Sequence, residues 1–505
     1  MNEAKTQLFD VAIVGYGPTG ATLANLLAQY GLSVVVIERN EVMYHLPRAV
    51  HFDDETMRIF QTVGVATQLS KKVRINPGMR FVDHKKSVIL EWPRPQEIGP
   101  QGWHASYRLH QPDLEQLLRA KLSGYSNAVV LNGTEVVNIE QYAKNVQLLC
   151  RNISDGHEHS LNAKYLVGCD GANSLVRSAI GSDVDDLGFN ERWLVVDLKL
   201  KKERPDLGDY SIQFCDPVRP MTYCRNPANR RRWEITMLED ETHEEVTRSD
   251  TIWKFLSPWV TAEDAKLERT AVYTFQSVIA NNWRKDRLFI AGDAAHLTPP
   301  FMGQGMCAGI RDAANLAWKL ALCIKRAVND DILDSYQEER SPHVRAFIEM
   351  AIRLGGLINT IDSKTALAQA ESNEEGTARI SSITPPLGAG DLGETIITNR
   401  PYRGYLFSQP ILQNRQRLDD KVGYNFVLIL RCPLNGNITP TVSVLDAEEH
   451  PNLATALDSF NTNALLVRPD RYIAGSAISE IDIADMAVNG LPSPILITKE
   501  REPIL

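Results

Sequence analysis

A glycine-rich stretch near the N-terminus, GYGPTG (15–20), has a spacing that suits the binding of a phosphorylated ligand. In this G-x-G-x-x-G pattern, Gly15 would make a tight turn, Gly17 would let the backbone approach a pyrophosphate, and Gly20 would let a helix pack closely. The next apolar run, SVVVIE, ends in Glu38, whose carboxylate could accept hydrogen bonds from a ribose. These residue types at this spacing predict a dinucleotide site.

The elements that must position these residues are a strand, a helix and a second strand. The short apolar run FDVAIVG (9–15) predicts a buried strand, and ATLANLLAQYG (21–31) predicts a helix that stops at its final glycine. SVVVIE (33–38) predicts the second strand. The start of the helix would offer free N–H groups and a partial positive charge to phosphates. FAD and NAD fit this arrangement equally well.

A second acid, Asp293, follows another apolar run, LFIAG, and favours a flavin. An acid at the carboxyl end of a strand points into the crevice where α/β sheets bind ligands, so Asp293 could bind a hydroxyl-rich ribityl chain. Gly303, Gly305 and Met306 follow at the start of a predicted helix, whose N–H groups could hold a pyrophosphate or a ring carbonyl. Pro300 would stiffen the loop between them.

A third segment, YLVGCDGANSLVRSAIG (165–181), predicts a strand that ends at Asp170 and a helix that begins near Ser174. Two interpretations stay open on the residues alone. The Asp-Gly turn contributes to the same cofactor site, or the segment is an ordinary strand–turn–helix connection in which Ser174 caps the helix.

Taken in order, VAIVGYGPTG, GCDGANSLVR and RLFIAGDAAHLTPPFMGQG resemble the three motifs of the class A flavin-dependent aromatic hydroxylases, which are single-component FAD monooxygenases. The resemblance covers nearly the whole chain, and FCDPVRP (214–220) and RRWEI (231–235) look closest to 3-(3-hydroxyphenyl)propionate hydroxylases. Together with the residue patterns above, it implies that FAD is bound by Gly15, Gly17, Pro18, Thr19, Gly20, Glu38, Arg39, Arg48, Gln111, Asp170, Gly292, Asp293, Pro300, Gly303, Gly305 and Met306.

The resemblance also implies a reaction. FAD stays bound, NADH or NADPH reduces it transiently, and O₂ then forms a C4a-hydroperoxide that hydroxylates a phenol, ortho to the existing hydroxyl. A substrate of the 3-(3-hydroxyphenyl)propionate type is expected, in aromatic catabolism. Other phenols, hydroxypyridines and hydroxyquinolines stay open as substrates. A flavoprotein with other chemistry, such as a halogenase, or a flavin-binding scaffold without activity is disfavoured: the W-x-W-x-I-P segment of halogenases is absent, and the cofactor motifs are intact.

Three polar residues are candidates for catalysis, each with an alternative structural role. His51 could take the phenolic proton, because histidine titrates near neutral pH, or it could form local hydrogen bonds. Asp53 lies beside it on the same segment. Arg232 could meet the nicotinamide cofactor or a substrate carboxylate, or it could form an ion pair with a neighbour such as Glu234.

The length of 505 residues predicts two to three domains, and the resemblance implies an α/β fold. Residues 1–182 and 281–350 would form a Rossmann-like FAD-binding domain of the glutathione-reductase type, interrupted by an antiparallel-sheet substrate domain at 183–280. Residues 351–400 would be a partly helical linker, and 401–505 a thioredoxin-like domain. Because its one cysteine, Cys432, cannot form a dithiol, this tail domain is expected to serve packing or to stabilise a homodimer.

Composition excludes several other classes of protein. The net charge of −9 argues against a nucleic-acid surface, and no apolar run approaches the roughly 18 residues of a membrane span. The polar N-terminus does not resemble a signal peptide. Seven scattered cysteines without a C-x-x-C pair predict reduced thiols and no metal site. We therefore expect a cytoplasmic protein that acts on small molecules.

Overall fold

A computed structural model describes residues 7–46, 48–326, 329–359, 371–372, 378–390, 402–413, 415–431, 443–479, 481–483 and 486. Strands and helices are numbered below in chain order. The described helices are α1 (Pro18–Gln29), α2 (Asp54–Val63), α3 (Ala66–Leu69), α4 (Gln111–Leu122), α5 (Leu175–Ile180), α6 (His243–Thr247), α7 (Ser249–Leu256), α8 (Gly305–Arg326), α9 (Ser335–Asn359), α10 (Leu418–Val422) and α11 (Pro451–Ser459).

The first sheet has a parallel centre. Its described strands are β1 (Leu8–Val14), β2 (Val34–Glu38), β8 (Ala128–Asn132), β9 (Thr134–Gln141), β10 (Val146–Asn152), β11 (Glu158–Gly168), β17 (Arg284–Lys285) and β18 (Leu288–Ile290). The order β18-β11-β1-β2-β8 is parallel throughout, so each of these strands ends at the same edge. Parallel neighbours need crossover connections, and α1 supplies the one between β1 and β2.

Helix α8 follows the second glycine-rich loop and packs on α1. It forms because small and apolar residues recur every three or four positions: Ile310, Ala313, Ala317 and Leu320 are all fully buried. Its packing against α1 brings the loop before α8 next to the G-x-G-x-x-G turn. Two stretches nearly 300 residues apart therefore converge at one edge of the first sheet.

The second sheet covers that edge. Its described strands are β5 (Gly78–Val82), β6 (Val88–Pro93), β12 (Val184–Leu200), β13 (Ser211–Phe214), β14 (Met221–Arg225), β15 (Arg230–Thr236), β16 (Ala265–Ala280), β19 (His296–Leu297), β20 (Glu371–Ser372) and β21 (Ala378–Arg379). All described pairs are antiparallel except β13 with β5 and β21 with β6. Strands β5 and β6 precede residue 183, so the sheet draws on chain outside 183–280.

A small third sheet connects the first two. In the described chain it consists of β3 (His51–Asp53), β4 (Arg74–Ile75) and β7 (Ser106–Arg108), with β7 in the middle. The register places His51 opposite Arg108. Polar side chains of β3 and β7 therefore lie side by side, next to the loop that leads into α8.

The tail of the chain forms a fourth sheet in the described residues: β22 (Val427–Leu430), β23 (Ser443–Asp446), β24 (Ala464–Val467) and β25 (Ile473–Ala477). Most of residues 360–400, the larger part of the linker predicted at 351–400, and Cys432 of the tail lie outside the described residues. Buried ion pairs join the tail to the body: Arg58 Nε lies 2.6 Å from Asp419 Oδ2, and Arg468 Nη1 lies 2.6 Å from Glu339 Oε1.

Candidate active site

A cavity of about 550 Å³ lies between the glycine-rich edge of the first sheet and the inner face of the second sheet. Such a volume suits a small organic ligand or cofactor. One end is lined by the starts of α1 and α8, and the other by side chains of β5, β6 and β13–β16. The predicted cofactor residues that line it are Gly17, Pro18, Thr19, Arg48, Gln111, Asp293, Pro300, Gly303, Gly305 and Met306.

The G-x-G-x-x-G turn has a different constraint at each glycine. Gly15 has φ +101°, and a Cβ there would lie 2.3 Å from the Cys169 carbonyl oxygen. A Cβ on Gly20 would lie 2.1 Å from the carbonyl oxygen of Gly15, so these two glycines let helix, turn and strand pack together. A Cβ on Gly17 would meet no protein atom within 4 Å. Gly17 therefore keeps space open at the start of α1, facing the cavity.

Glu38 ends β2, as predicted, and is nearly buried. Its Oε2 accepts a hydrogen bond from the Tyr16 backbone N–H at 2.9 Å, and its Oε1 accepts two from Asn40. The carboxylate is thus held against the G-x-G-x-x-G turn. Arg39, the next residue, is exposed, and neither residue lines the cavity.

Asp293 opens into the cavity from a short 3₁₀ turn, Gly292–Ala294, that follows β18. The protein atoms around the cavity partly desolvate the carboxylate, and this desolvation raises the pKa of Asp293. The turn is anchored by Asp312 of α8, whose Oδ2 accepts hydrogen bonds from Gly292 N–H at 3.0 Å and from His296 Nε2 at 2.7 Å. Asp312 is a functional position that the sequence reading missed.

The segment before β3 is positioned by Gln111, the first residue of α4. Its Oε1 accepts backbone hydrogen bonds from Arg48 at 3.1 Å and from Ala49 at 2.6 Å, while its Nε2 donates to Glu115 at 2.7 Å. Arg48 itself is exposed to the cavity and lies over the ring of Tyr44. Gln111 therefore positions the cationic side chain of Arg48 besides lining the cavity.

His51 lies in the cavity wall with both ring nitrogens engaged. Nδ1 lies 3.1 Å from the Gly303 carbonyl oxygen, which can only accept, so Nδ1 carries the proton. Nε2 then accepts from the Ser106 hydroxyl at 2.8 Å. Burial, reinforced by the charges of Arg108 and Arg94, lowers the pKa of His51 to about 3. The imidazole is therefore neutral across the physiological range.

Asp53 does not line the cavity. Its Oδ1 caps α2 by accepting hydrogen bonds from the backbone and hydroxyl of Thr56, and its Oδ2 pairs with Arg311 of α8. Although burial acts to raise it, Arg311 holds the pKa of Asp53 well below its usual range. This geometry supports a positioning role, since the ion pair joins β3 to α8, rather than direct chemistry.

Arg232 of β15 lies in the cavity wall, 3% exposed. Its Nε and Nη2 donate to the two carboxylate oxygens of Asp197 at 2.8 and 2.9 Å, and its Nη1 donates to the Arg48 carbonyl oxygen at 2.7 Å. The guanidinium thus joins the second sheet to the Arg48 segment. The neighbouring Glu234 also lines the cavity, 3.6 Å from Arg232, and burial raises its pKa.

Asp170 caps a helix. Its Oδ2 accepts hydrogen bonds from the backbone N–H groups of Leu175 and Val176 at 2.8 and 3.3 Å, and its Oδ1 accepts one from the Ser174 hydroxyl at 2.5 Å. Ser174 is also the N-cap of α5. The carboxylate does not line the cavity, but the next residue, Gly171, does. The turn, rather than its acid, faces the site.

Comparison with known proteins assigns the chain to a family. Residues 8–351 match the family model described as "FAD binding domain". A protein of Rhodococcus jostii named "Probable NADH-specific resorcinol 4-hydroxylase" is 36% identical, over 95% of this chain and 94% of that protein. This chain belongs to the FAD-dependent aromatic hydroxylases. The resemblance predicted from its motifs is confirmed, and so is FAD as its cofactor.

A second relative supports this assignment, and two solved structures share the fold. The 3-(3-hydroxy-phenyl)propionate/3-hydroxycinnamic acid hydroxylase of Burkholderia cenocepacia is 32% identical over 94% of each chain. The flavin-dependent monooxygenase PieE, solved with FAD and substrate, superposes with a TM-score of 0.78 at 19% identity, over 95% of this chain and 98% of that one. Aklavinone-11 hydroxylase, solved with FAD and aklavinone, gives a TM-score of 0.75 at 21% identity, over 97% and 100%. The predicted mixed α/β fold class is confirmed.

Structural features of the cavity, independent of the comparison with relatives, also fit FAD. Helix α1 begins without a side-chain cap, so its first N–H groups are free for a phosphate. Gly305 at the start of α8 has, like Gly17, no atom within 4 Å of an added Cβ. Thr298 also lines the cavity. Free N–H groups at a helix start and open space at the glycines are the features expected where the backbone contacts a polar cofactor.

The neutrality of His51 predicts a measurable acid sensitivity. Its folded pKa of about 3 lies below that of an unfolded histidine, so the unfolded chain binds an extra proton between these values, and stability falls with the pH. We expect this group to lower the free energy of unfolding by about 2 kcal/mol between pH 8 and pH 5. Urea unfolding of wild type and His51→Gln at both pH values measures it.

The exposed His84 supplies the control for this measurement. The His84→Gln variant should keep the wild-type difference between the two pH values, whereas His51→Gln should lose about 2 kcal/mol of it. An unchanged pH dependence in His51→Gln would mean that His51 binds its proton equally well in the folded chain.

In the described part of the hydroxylase, no group of three or more His, Cys, Asp or Glu side chains could hold a metal ion, although His157 and His159 form an H-x-H pair on a surface hairpin. None of the described helices is both long and apolar enough to cross a membrane.

Proposed function

We propose that this hydroxylase uses NAD(P)H and O₂ to add one hydroxyl group to a phenol, ortho to the existing hydroxyl. A substrate of the 3-(3-hydroxyphenyl)propionate type fits best. The observation that carries the proposal is the single cavity with two different ends: helix starts and Asp293 at one, an aromatic wall at the other. Such a cavity suits a flavin and a small aromatic ring held next to each other.

The aromatic wall would hold the ring and exclude water. It is contributed by β5, β6, β16 and the loop before α8, and consists of Phe81, Trp92, Tyr273, Phe275 and Phe301. Bound and reduced FAD would activate O₂, and one of the two oxygen atoms of O₂ would be transferred to the ring. The residues of the cavity wall would hold the phenol close to the flavin and exclude water. Exclusion of water prevents the activated oxygen from being lost before it reaches the ring.

Two residues in the cavity wall can act on the phenolic proton. Glu234 is the stronger proton acceptor, because burial raises its pKa and its carboxylate faces the cavity. His51 is neutral, and its Nε2 lone pair is engaged by Ser106, to which Asn76 also donates at 2.9 Å. We therefore propose that Glu234 accepts the phenolic proton of the substrate and that His51 keeps the Gly303 turn in place.

The test is substrate-stimulated NADH oxidation across a panel of phenols, with the products identified by mass spectrometry and NMR. The panel contains 3-(3-hydroxyphenyl)propionate, resorcinol, a hydroxypyridine and a hydroxyquinoline. The expected result is a stimulation of about tenfold or more by a phenol, with one hydroxyl added beside the existing one. NADH oxidation that yields only hydrogen peroxide with every compound would contradict the proposal.

A further inference from the structure

Two arginines in the wall of the cavity have no acidic partner in the described residues. Arg94 follows β6 and Arg108 ends β7, and both line the cavity. Neither takes part in a described ion pair, whereas Arg232, in the same wall, is paired through two hydrogen bonds with Asp197. An arginine remains charged at any physiological pH, so its enclosure without an anion is costly.

Arg108 is the more buried of the two, at 6% exposed. Its Nη2 donates to the Ser211 hydroxyl, which is neutral, and its Nε is buried with no hydrogen-bond partner. Ser211 begins β13, next to β5. The guanidinium is therefore fixed at the junction of the second and third sheets, and it has N–H groups that could donate further hydrogen bonds.

Arg94 reaches the same junction from another element. Its backbone N–H donates to the Pro77 carbonyl oxygen at 3.0 Å, and its guanidinium lies over the Trp92 ring at 4.0 Å. Burial, with the positive charge of Arg108 as the next cause, lowers its pKa to about 10. Two like charges are thus held close together, and an anion between them would relieve their repulsion.

Three acids lie near these arginines. Asp53 pairs with Arg311, and Glu234 lies 3.6 Å from Arg232. Asp54 does not line the cavity, and burial raises its pKa to about 7. Trp92 and Phe81, which line the cavity beside the two arginines, would contact a ring. An anion at this position would therefore be part of a molecule whose aromatic portion lies along the cavity wall.

We propose that Arg94 and Arg108 form a subsite for the carboxylate of the substrate, so that the enzyme selects phenols with an acidic side chain. This inference rests on the proposed function and narrows its substrate class. The phenolic ring extends from the subsite along the aromatic wall. A carboxylate matches the planar fork of a guanidinium and can accept hydrogen bonds from both residues.

The test compares an acid with its uncharged counterpart, 3-(3-hydroxyphenyl)propionate with 3-(3-hydroxyphenyl)propionamide, on the FAD-loaded enzyme. Wild type should bind the acid at least about tenfold more tightly, measured as Kd by calorimetry and as kcat/KM. In Arg94→Met and Arg108→Met this preference should fall about tenfold, mainly through KM. Arg94→Lys keeps the positive charge but not the planar guanidinium, and it should keep part of the preference for the acid over the amide.

Arg80→Met is the matched control. Arg80 lies on β5, pairs with Glu91 at 2.9 Å and lies over Tyr210, but it does not line the cavity. Its variant should keep the wild-type preference. FAD content and melting temperature, measured for each variant, separate a binding defect from a folding defect.

Three results would overturn the inference. Wild type could bind acid and amide equally, the variants could weaken both compounds by the same factor, or they could raise the KM for NADH instead, which would assign the arginines to the phosphates of the nicotinamide cofactor. In each of these cases wild type still hydroxylates phenols. If wild type hydroxylates no phenol at all, the proposed function itself fails.

Discussion

Replacing Gly17 with aspartate is expected to give a folded protein that is colourless when purified. The residue is the N-cap of α1, with φ −75° and ψ −174°, and aspartate is favoured at this position in helices. An added Cβ meets no atom within 4 Å, so the fold accommodates it. The new carboxylate, however, would occupy the space open for the pyrophosphate and repel its negative charges.

The expected loss of FAD affinity is about a hundredfold or more. The ratio of flavin absorbance to protein absorbance in the purified variant gives the occupancy, and titration of FAD into the stripped protein gives the Kd. Gly17→Ala adds only a methyl group to the same open space and should retain most of the FAD. A Gly17→Asp protein that stays fully yellow would show that the pyrophosphate does not approach this turn.

Replacing Asp312 with asparagine is expected to cost about 3–5 kcal/mol of stability, because it leaves the buried guanidinium of Arg340 without its counter-charge. Asp312 is fully buried, and its Oδ1 accepts from Arg340 Nε at 2.9 Å while its Oδ2 holds Gly292 and His296. The variant should also bind FAD more weakly, because the turn that carries Asp293 loses its anchor. Urea unfolding followed by circular dichroism measures the first effect, and FAD titration the second.

The pH dependence of this group follows from its pKa. Although burial acts to raise it, His296 and Arg340 lower the pKa of Asp312 to about 2, below the value of an unfolded aspartate. Its stabilising contribution is therefore present above about pH 4 and is lost as the pH falls towards 2.

Asp334→Asn is the matched control for Asp312→Asn. Asp334 also pairs with an arginine, Arg284, at 2.6 Å, but its side chain is 63% exposed. An exposed pair contributes less than about 1 kcal/mol. Equal losses in the two variants would mean that burial does not determine the strength of the Asp312 interactions.

The two glycine-rich parts of the candidate cofactor site could be predicted because the residues within each part are local in sequence. A turn, the helix after it and the acid at the end of the next strand form one βαβ unit, so spacing alone placed Gly17 near Glu38. Asp293 follows the same logic on β18. The contact between the two glycine-rich loops depends on α8 packing against α1, which the resemblance implied but no single motif showed.

The proposed substrate end, where Arg94 and Arg108 lie, could not be predicted from the sequence for a physical reason. Arg94 and Arg108 stand alone on separate elements, and only the meeting of the second and third sheets brings them together. Asp312 lies within an otherwise helical pattern, where an acid usually faces solvent. For the two arginines, the sequence offered one signal: Arg108 lies in YRLHQ, three residues before the predicted cofactor residue Gln111.

His51 and Asp53 illustrate the limit of residue type as evidence. A histidine and an acid beside a cofactor loop suggest acid–base chemistry, yet their titration depends on neighbours far away in the chain. Burial, reinforced by the charges of Arg108 and Arg94, keeps the imidazole neutral, and Arg311 keeps the carboxylate ionised and paired. Their role in catalysis stays a prediction, and the hydrogen bonds favour a role in positioning the Gly303 turn and α8.

The buried ion pairs between the tail and the body restrict how such enzymes can be recombined. Asp419 of the tail lies between Arg58 of the body and Arg471 of the tail, and Arg468 of the tail meets Glu339 of α9. A chimera whose tail lacks an acid at position 419 would leave Arg58 without its carboxylate partner, and one that lacks Arg468 would leave Glu339 paired with Lys319 of α8 alone. A recombined form of this chain therefore has to keep the charges on both sides of the crossover matched.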